Sequence, residues 1–547
     1  MRVFGYQVLA RTLQEQGFDT LFYLMGGPML SAERAWIDAG MRAIDVRHEE
    51  SAAMMAHAYA RVARRPGLCM AASGPGTANL VPGIANAMVD GAPVLAVGGS
   101  AAISDRGRGG FQEIDQLALM RPVTKWAEQA HDPRRVPELV ATALRHATSG
   151  APGPVYLDMP ADILYQSVAE TDVRWTAETP LLPRVRPRAD AAAIDAAVRL
   201  LASVERPIVL SGSGVLWSDA APALQRFVEA AGVPLYTTPQ GRGAIAEDHA
   251  LCPIFARSVA FAEADLIVVL GTRLNWVIGH AQPPRFRADC RMIQVDIDPA
   301  EIGHNRSADV ALCGDAAAVL EQLLVASAGA ISPSRYARWV ERLRSVHERK
   351  ASQQDAATSL DTTPIHPLRL CREVRGVLER DAVLVVDGHE ILNFARQSIP
   401  THVLGHRLNS GPFGHMGVGL PYALGARVAA GPDSQVIALV GDGSLGLSAM
   451  ELDTAARHGL DVVVVVSNNG GWTSATLDKP GRDLGFTRFD LIAEALGCQG
   501  ECVEQPQDIG PALQRALASP RPALVNVATD PAAHSQTVGF ARYEAMA

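Results

Sequence analysis

The stretch GDGSLGLSAMELDTAARHGLDVVVVVSNNGGW, residues 441–472, sets an Asp between two glycines, runs through a helix-like segment into five valines and closes on Asn-Asn-Gly-Gly-Trp. Its apolar runs predict a buried strand over 436–440, a turn at 441–444, a crossover helix over 447–458 and a second strand over 462–466. Two strands joined this way are parallel neighbours, so Asp442 and the Asn pair fall at one carboxyl edge of a sheet, where open α/β sheets bind ligands. Asp442 and Asn469 can give two side-chain oxygens, and Gly471 a backbone carbonyl, to one Mg²⁺ or Ca²⁺, with phosphate oxygens and water filling the remaining positions. The N–H groups of Gly443 and Ser444, at a helix start, suit the same phosphates. Alone, a GDG is more often a tight turn; the Asn pair after the next strand singles this one out.

The whole chain is consistent with several such units. Its 547 residues exceed one ordinary domain, and 48% hydrophobic content suffices for several cores. A net charge of −9 argues against a nucleic-acid surface. The Arg-rich PRVRPR at 183–188 reads as a solvated linker. Seven scattered cysteines form no paired C-x₂-C set and read as reduced thiols, which suits a cytoplasmic protein. No apolar run approaches a membrane span, the N-terminal segment reads as an amphipathic core helix, and the tail RYEAMA carries no lipidation signal.

Helix and strand patterns alternate over 1–172, again over 190–328 (IVLSGSG, VPLYTT, LIVVLG, MIQVDI) and again over 362–547, with a polar helical connection, SRYARWVERLRSVHERKASQQDAA, before the last block. The expectation is an α/β protein of three doubly wound parallel-sheet domains.

Further motifs extend beyond the opening stretch. VRHEE at 46–50 precedes the helix-like SAAMMAHAYARVA; SGPGTANL occupies 73–80; NSGPFGHMGVGLPYALGA occupies 409–426; VDGHEILNF occupies 386–394. Together with GDGS…NN they resemble the thiamine diphosphate enzymes of the acetolactate synthase-like superfamily. The resemblance implies a pyrimidine-binding first domain, a Rossmann-like central domain and a diphosphate-binding third domain. In it, Glu49 matches the carboxylate that hydrogen-bonds the aminopyrimidine and drives its imino form; Glu50 is placed in the helix start. Gly74 and Asn79 line the cofactor cleft, Gly414 offers a carbonyl to the aminopyrimidine, and Met416 wedges beneath the cofactor. Gly388, His389 and Glu390 stand where relatives contact the diphosphate. His415 departs from the family's usual Thr. Since relatives build the site from two subunits, the resemblance implies at least a homodimer, and commonly a homotetramer.

Substrate class rests on finer likenesses. GGFQEID and PVTKW resemble the acetolactate synthase branch, where Phe111 and Gln112 would shape the second-substrate pocket, but the 2-hydroxyacyl-CoA lyases carry a similar FQE. GTRLNW, IQVDI and NNGGW resemble the lyase and oxalyl-CoA decarboxylase branch, and relatives there bind ADP at places matching Arg273, Asp296 and Asp315. QGRG at 240–243 departs from that branch. The resemblance thus implies a thiamine diphosphate and Mg²⁺ dependent 2-hydroxyacyl-CoA lyase, converting a CoA thioester to formyl-CoA and an aldehyde or ketone, with ADP as a further ligand. The alternatives are an acetolactate synthase-like carboligase using 2-oxo acids and an oxalyl-CoA decarboxylase.

Overall fold

Three parallel sheets follow one another along the chain. The structure, a computed structural model, describes residues 1–175, 185–476 and 478–535. The tail RYEAMA and the first two residues of PRVRPR lie outside the described residues.

The first sheet orders its six strands Arg42–Asp45, Thr20–Tyr23, Gly67–Ala71, Val94–Ser100, Val155–Pro160, Trp126–Gln129. The second has five: Leu235–Thr237, Pro207–Ser211, Leu266–Leu270, Arg291–Asp296, Val310–Cys313. The third has six: Arg407–Leu408, Val383–Asp387, Val436–Gly441, Val463–Asn468, Ala523–Ala528, Gln499–Val503. Each begins one strand in from an edge, steps out to that edge, then returns across the first strand and continues to the other side. This leaves a crevice at the carboxyl end where the winding reverses. In the third sheet the crevice lies between Val383–Asp387 and Val436–Gly441, so His389 and Asp442 flank it.

The valine run explains the centre of that sheet. Val463–Asn468 is buried throughout, which only a strand covered on both faces permits. Each buried valine contributes on the order of 1.5 kcal/mol or more. Gly441 pairs with Ser467, so Asp442 and Asn469 leave neighbouring strands side by side.

Three details differ from the sequence expectation. The N-terminal segment opens with a short strand, Arg2–Phe4, paired antiparallel with Ser167–Ala169 before the helix Gly5–Glu15 begins. The turn expected at 441–444 is already helical, and the single crossover helix is two, Asp442–Ser448 and Glu451–Arg457. The early helix start directs N–H groups toward the crevice, and the break at 449–450 turns the second helix onto the first domain. There Glu451 accepts from the backbone N–H of Arg47 at 3.1 Å, and Arg457 and His458 both pair with Asp45.

The first and third domains also pack helix against helix, Glu49–Ala63 against Gly419–Ala430. Small residues permit the close approach: a Cβ at Gly425 would lie 2.3 Å from the carbonyl oxygen of Met55.

Candidate functional site

The crevice of the third sheet holds a carboxylate with an unused oxygen. Asp442 is 4% exposed, and its Oδ2 is buried with no hydrogen-bond partner. Burial pushes its pKa up to about 6, against the opposing pull of backbone N–H groups from Gly443 and Gly471. Such an orphaned oxygen is destabilising unless a cation or donor meets it. Asn469 stands beside it with its amide already oriented: Nδ2 donates to the Thr473 carbonyl at 3.2 Å, leaving Oδ1 near the Gly471 N–H at 3.2 Å. Among the described residues no three His, Cys, Asp or Glu side chains cluster as a metal cage. This chemistry suits Mg²⁺, which takes one or two protein oxygens and completes its shell with phosphate and water. Gly443 has no room for a side chain, since a Cβ would lie 2.6 Å from the Trp472 indole. Gly388, His389, Glu390, Asp442, Ser444, Asn469 and Gly471 all line this one small pocket. A diphosphate with its metal fits these groups.

Two residues hold the pocket's walls. Glu390 accepts from Thr473 Oγ1 at 3.0 Å, His534 Nδ1 at 3.0 Å, and the Ser535 N–H and Oγ at 2.8 and 2.6 Å. Burial alone would raise its pKa; bonds from His389, Ser535 and His534 outweigh this and hold the carboxyl well below the usual range. Its oxygens are therefore occupied within the chain, and it braces the loop rather than presenting a free carboxylate. Arg482, buried, donates to the carbonyls of Thr473 and Asn469 at 2.9 and 3.2 Å and so fixes the loop after the Asn pair. Sequence reasoning missed Arg482 because nothing in its local spacing marks it.

Gly388, His389 and Met416 also line a much larger cavity of about 1870 Å³, which runs to the crevice of the central sheet. Gly414 lies on its wall at φ +74°, a conformation that favours glycine. At its far end are Arg273, Asp296 and Asp315. Arg273 pairs with Glu301 at 3.2 Å and donates to the Val89 carbonyl at 2.9 Å. Asp296, at its strand end, is raised to about 6 by burial. Asp315 is a helix N-cap: its oxygens accept from the Ala318 N–H at 3.1 Å and from Ser218 Oγ at 2.8 Å. Its place before an Ala-rich helix already carried that signal.

Three arginines that sequence reasoning did not single out also line this cavity: Arg257, Arg285 and Arg396. Arg257 Nε and Nη2 are buried without hydrogen-bond partners. Burial, then repulsion from Arg285, Arg396 and Arg242, pushes the Arg257 pKa down to about 9; burial, then Arg242 and Arg285, pushes Arg396 down to about 10. The nearby carboxylate, Glu247, is already held by Arg242 and the Thr401 N–H. Clustered guanidinium groups on a cavity wall have the chemistry to receive a polyanion.

The first-domain candidates gather around the start of Glu49–Ala63. Glu49 is 8% exposed and accepts from Asn79 Nδ2 at 3.0 Å. Gly74, at φ +58°, donates its N–H to Gln116 Oε1 at 2.6 Å, and a Cβ there would lie 2.5 Å from the Gln112 carbonyl. Gln112 itself adopts φ +59° and accepts from Ser73 Oγ at 2.7 Å. Phe111 is 85% exposed. Neither cavity described above is lined by Glu49, Asn79, Gly74, Gln112 or Phe111.

Comparison with known proteins identifies the family. Residues 4–119 match the thiamine pyrophosphate enzyme N-terminal TPP binding domain, 194–323 the central domain and 392–527 the C-terminal TPP binding domain. An acetolactate synthase large subunit of Mycobacterium tuberculosis is 35% identical, over 96% of this chain and 95% of its own. An oxalyl-CoA decarboxylase of Escherichia coli is 32% identical (97% and 96%), and a 2-hydroxyacyl-CoA lyase of Arabidopsis thaliana 32% identical (97% and 96%). The chain belongs to the thiamine pyrophosphate enzymes of the acetolactate synthase-like superfamily, related both to the synthases and to the 2-hydroxyacyl-CoA lyase and oxalyl-CoA decarboxylase branch.

Proposed function

We propose that this carbon–carbon lyase/ligase acts on a CoA thioester, cleaving a short 2-hydroxyacyl-CoA to formyl-CoA and an aldehyde or ketone and running the reverse condensation. The observation that carries the reading is the trio Arg257, Arg285 and Arg396 in the cavity that reaches Met416. A free 2-oxo acid has one carboxylate and would leave most of that charge unanswered, whereas the phosphates of CoA match it.

Asp442, Asn469 and the Gly471 carbonyl would hold Mg²⁺, with the N–H groups of Gly443 and Ser444 on the diphosphate. When bound, thiamine diphosphate supplies the electron sink for cleavage next to a carbonyl. Glu49, oriented by Asn79, would exchange a proton with the aminopyrimidine nitrogen. Met416 would support the cofactor from below, and the arginines would use binding energy from the remote CoA arm to place the thioester. Arg273 and Asp296 would receive ADP, with Asp315 fixing the helix start beside them.

A homodimer at minimum, with a tetramer as the larger assembly, is part of the same reading. Glu49 lies outside both cavities, and apolar side chains stand exposed on both cofactor domains: Phe111 at 85% and Met25 at 61%, Leu447 at 60% and Leu491 at 51%. A second copy would cover these and bring its Glu49 to the pocket.

The second reading is an acetolactate synthase-like carboligase, favoured by the 35% identity to the mycobacterial synthase. An oxalyl-CoA decarboxylase would also use the arginine cluster. Assay of a panel of 2-hydroxyacyl-CoA thioesters, oxalyl-CoA and pyruvate separates the three. Formyl-CoA with a carbonyl product supports the proposal; acetolactate from pyruvate, with no thioester turnover, would replace it.

A further inference from the structure

His415 stands where the family's usual residue is Thr, and both of its ring nitrogens face acceptors. Nε2 lies 2.5 Å from Glu50 Oε1, and Nδ1 lies 2.7 Å from the carbonyl oxygen of Met416. A carbonyl only accepts and an ionised carboxylate only accepts, so both contacts are hydrogen bonds at once when the ring carries two protons. Glu50 belongs to the first turn of Glu49–Ala63 in the first domain, and Met416 to the wall shared by both cavities of the third.

We propose that His415 is a positioning residue of this enzyme: as an imidazolium bridge from Glu50 to the Met416 carbonyl, it fixes the segment 414–416 on which the cofactor rests. The inference rests on the thiamine diphosphate reading of the Met416 pocket. The segment has few other restraints. Gly414 is exposed, with no atom within 4 Å of where a Cβ would sit, and the Met416 sulfur receives a long contact from Ser444 Oγ at 3.9 Å. The charged groups facing the ring are Glu50 from the helix and Asp387 from the strand Val383–Asp387. His48 lies 3.9 Å from the other Glu50 oxygen, but its Nδ1 accepts the Glu50 N–H, so it does not compete as a donor. The Glu50 hydrogen bond raises the His415 pKa against the opposing effect of burial. Loss of the ring proton at higher pH leaves one of the two acceptors without its donor.

The test is calorimetric titration of the full-length apoprotein with thiamine diphosphate in excess Mg²⁺ from pH 6 to pH 9. Wild-type affinity should fall by about tenfold as pH rises through the His415 transition, the loss expected for one charge-assisted hydrogen bond. H415Q should bind at pH 7 as weakly as the wild type at pH 9, with no step above the Asp442 transition near pH 6; H415K, which keeps a cation, should bind tightly at both. E50Q should move the step to lower pH, which a merely structural histidine would not do. A step of unchanged size and position in H415Q, or an unmoved step in E50Q, would overturn the proposal alone. No thiamine diphosphate binding by the wild type would overturn the cofactor reading with it.

Discussion

Asn79 Nδ2 donates to Glu49 Oε2 at 3.0 Å, while a Cβ on Gly76 would lie 3.4 Å from Glu49 Oε1. The carboxylate is thus aimed by a donor on one side and confined by backbone on the other. Glu49→Gln should preserve fold and cofactor binding but lower turnover by a factor on the order of 10²–10⁴, the usual worth of a positioned acid–base group. Hydrogen exchange at the thiazolium C2, followed by NMR, should slow in parallel. Asn79→Ala should slow it less, since orientation is loosened while the carboxylate remains.

The metal role proposed for Asp442 makes a prediction about pH. In the apoprotein its pKa is raised to about 6 by burial, and a metal ligand must be ionised. Affinity for Mg²⁺ with thiamine diphosphate should therefore fall as pH drops below about 6, with protons released on binding near that pH. Calorimetry at pH 5.5 and 7.5 in buffers of different ionisation enthalpy measures both. Exhaustive chelation should abolish turnover, and equal affinity at the two pH values would exclude the assigned role.

The arginine cluster makes two predictions of opposite sign. Arg396→Ala should raise KM for a CoA thioester by roughly tenfold or more, the loss of one charge-assisted contact, while leaving a free 2-oxo acid unaffected. Arg257→Met should hold or raise the melting temperature of the unliganded protein, because it removes a cation with two buried, unsatisfied nitrogens beside like charges. A parallel loss of stability would mean that the cluster serves the fold.

Glu33 offers a stability test away from the site. It is 2% exposed, its Oε1 has no partner, and burial raises its pKa to about 8. The folded chain thus holds this proton where the unfolded chain has lost it, so stability falls as pH rises from the ordinary carboxylate range to about 8. Glu33→Gln should remove that slope and stabilise the fold at pH 8 relative to pH 5, by several kcal/mol at most, so the melting temperature rises more at pH 8. Melts at the two pH values decide it.

Much of this was legible in the chain because chemistry and local spacing coincide. Asp442 and Asn469 follow successive strands of one βαβ unit, so sequence order alone brings them together. Glu49 is marked by the segment around it. The arginine cluster was not legible: Arg257, Arg285 and Arg396 come from two domains, and only the packing of one on the other makes them neighbours. The helix break at 449–450 was hidden because the apolar pattern continues across it, while contact with Arg47 and Asp45 sets the new direction. The exposed Phe111 shows the complementary limit, since its side chain finds little cover among the described residues of its own chain.

The bonds from His534 and Ser535 to Glu390 set an order on biosynthesis. The helix that starts at Glu390 can form as it leaves the ribosome, yet its carboxylate meets those donors only after another 145 residues have been made. Until then the Glu390 carboxylate lacks the donors that hold it, and the small pocket it lines with Asp442 and Asn469 is unfinished.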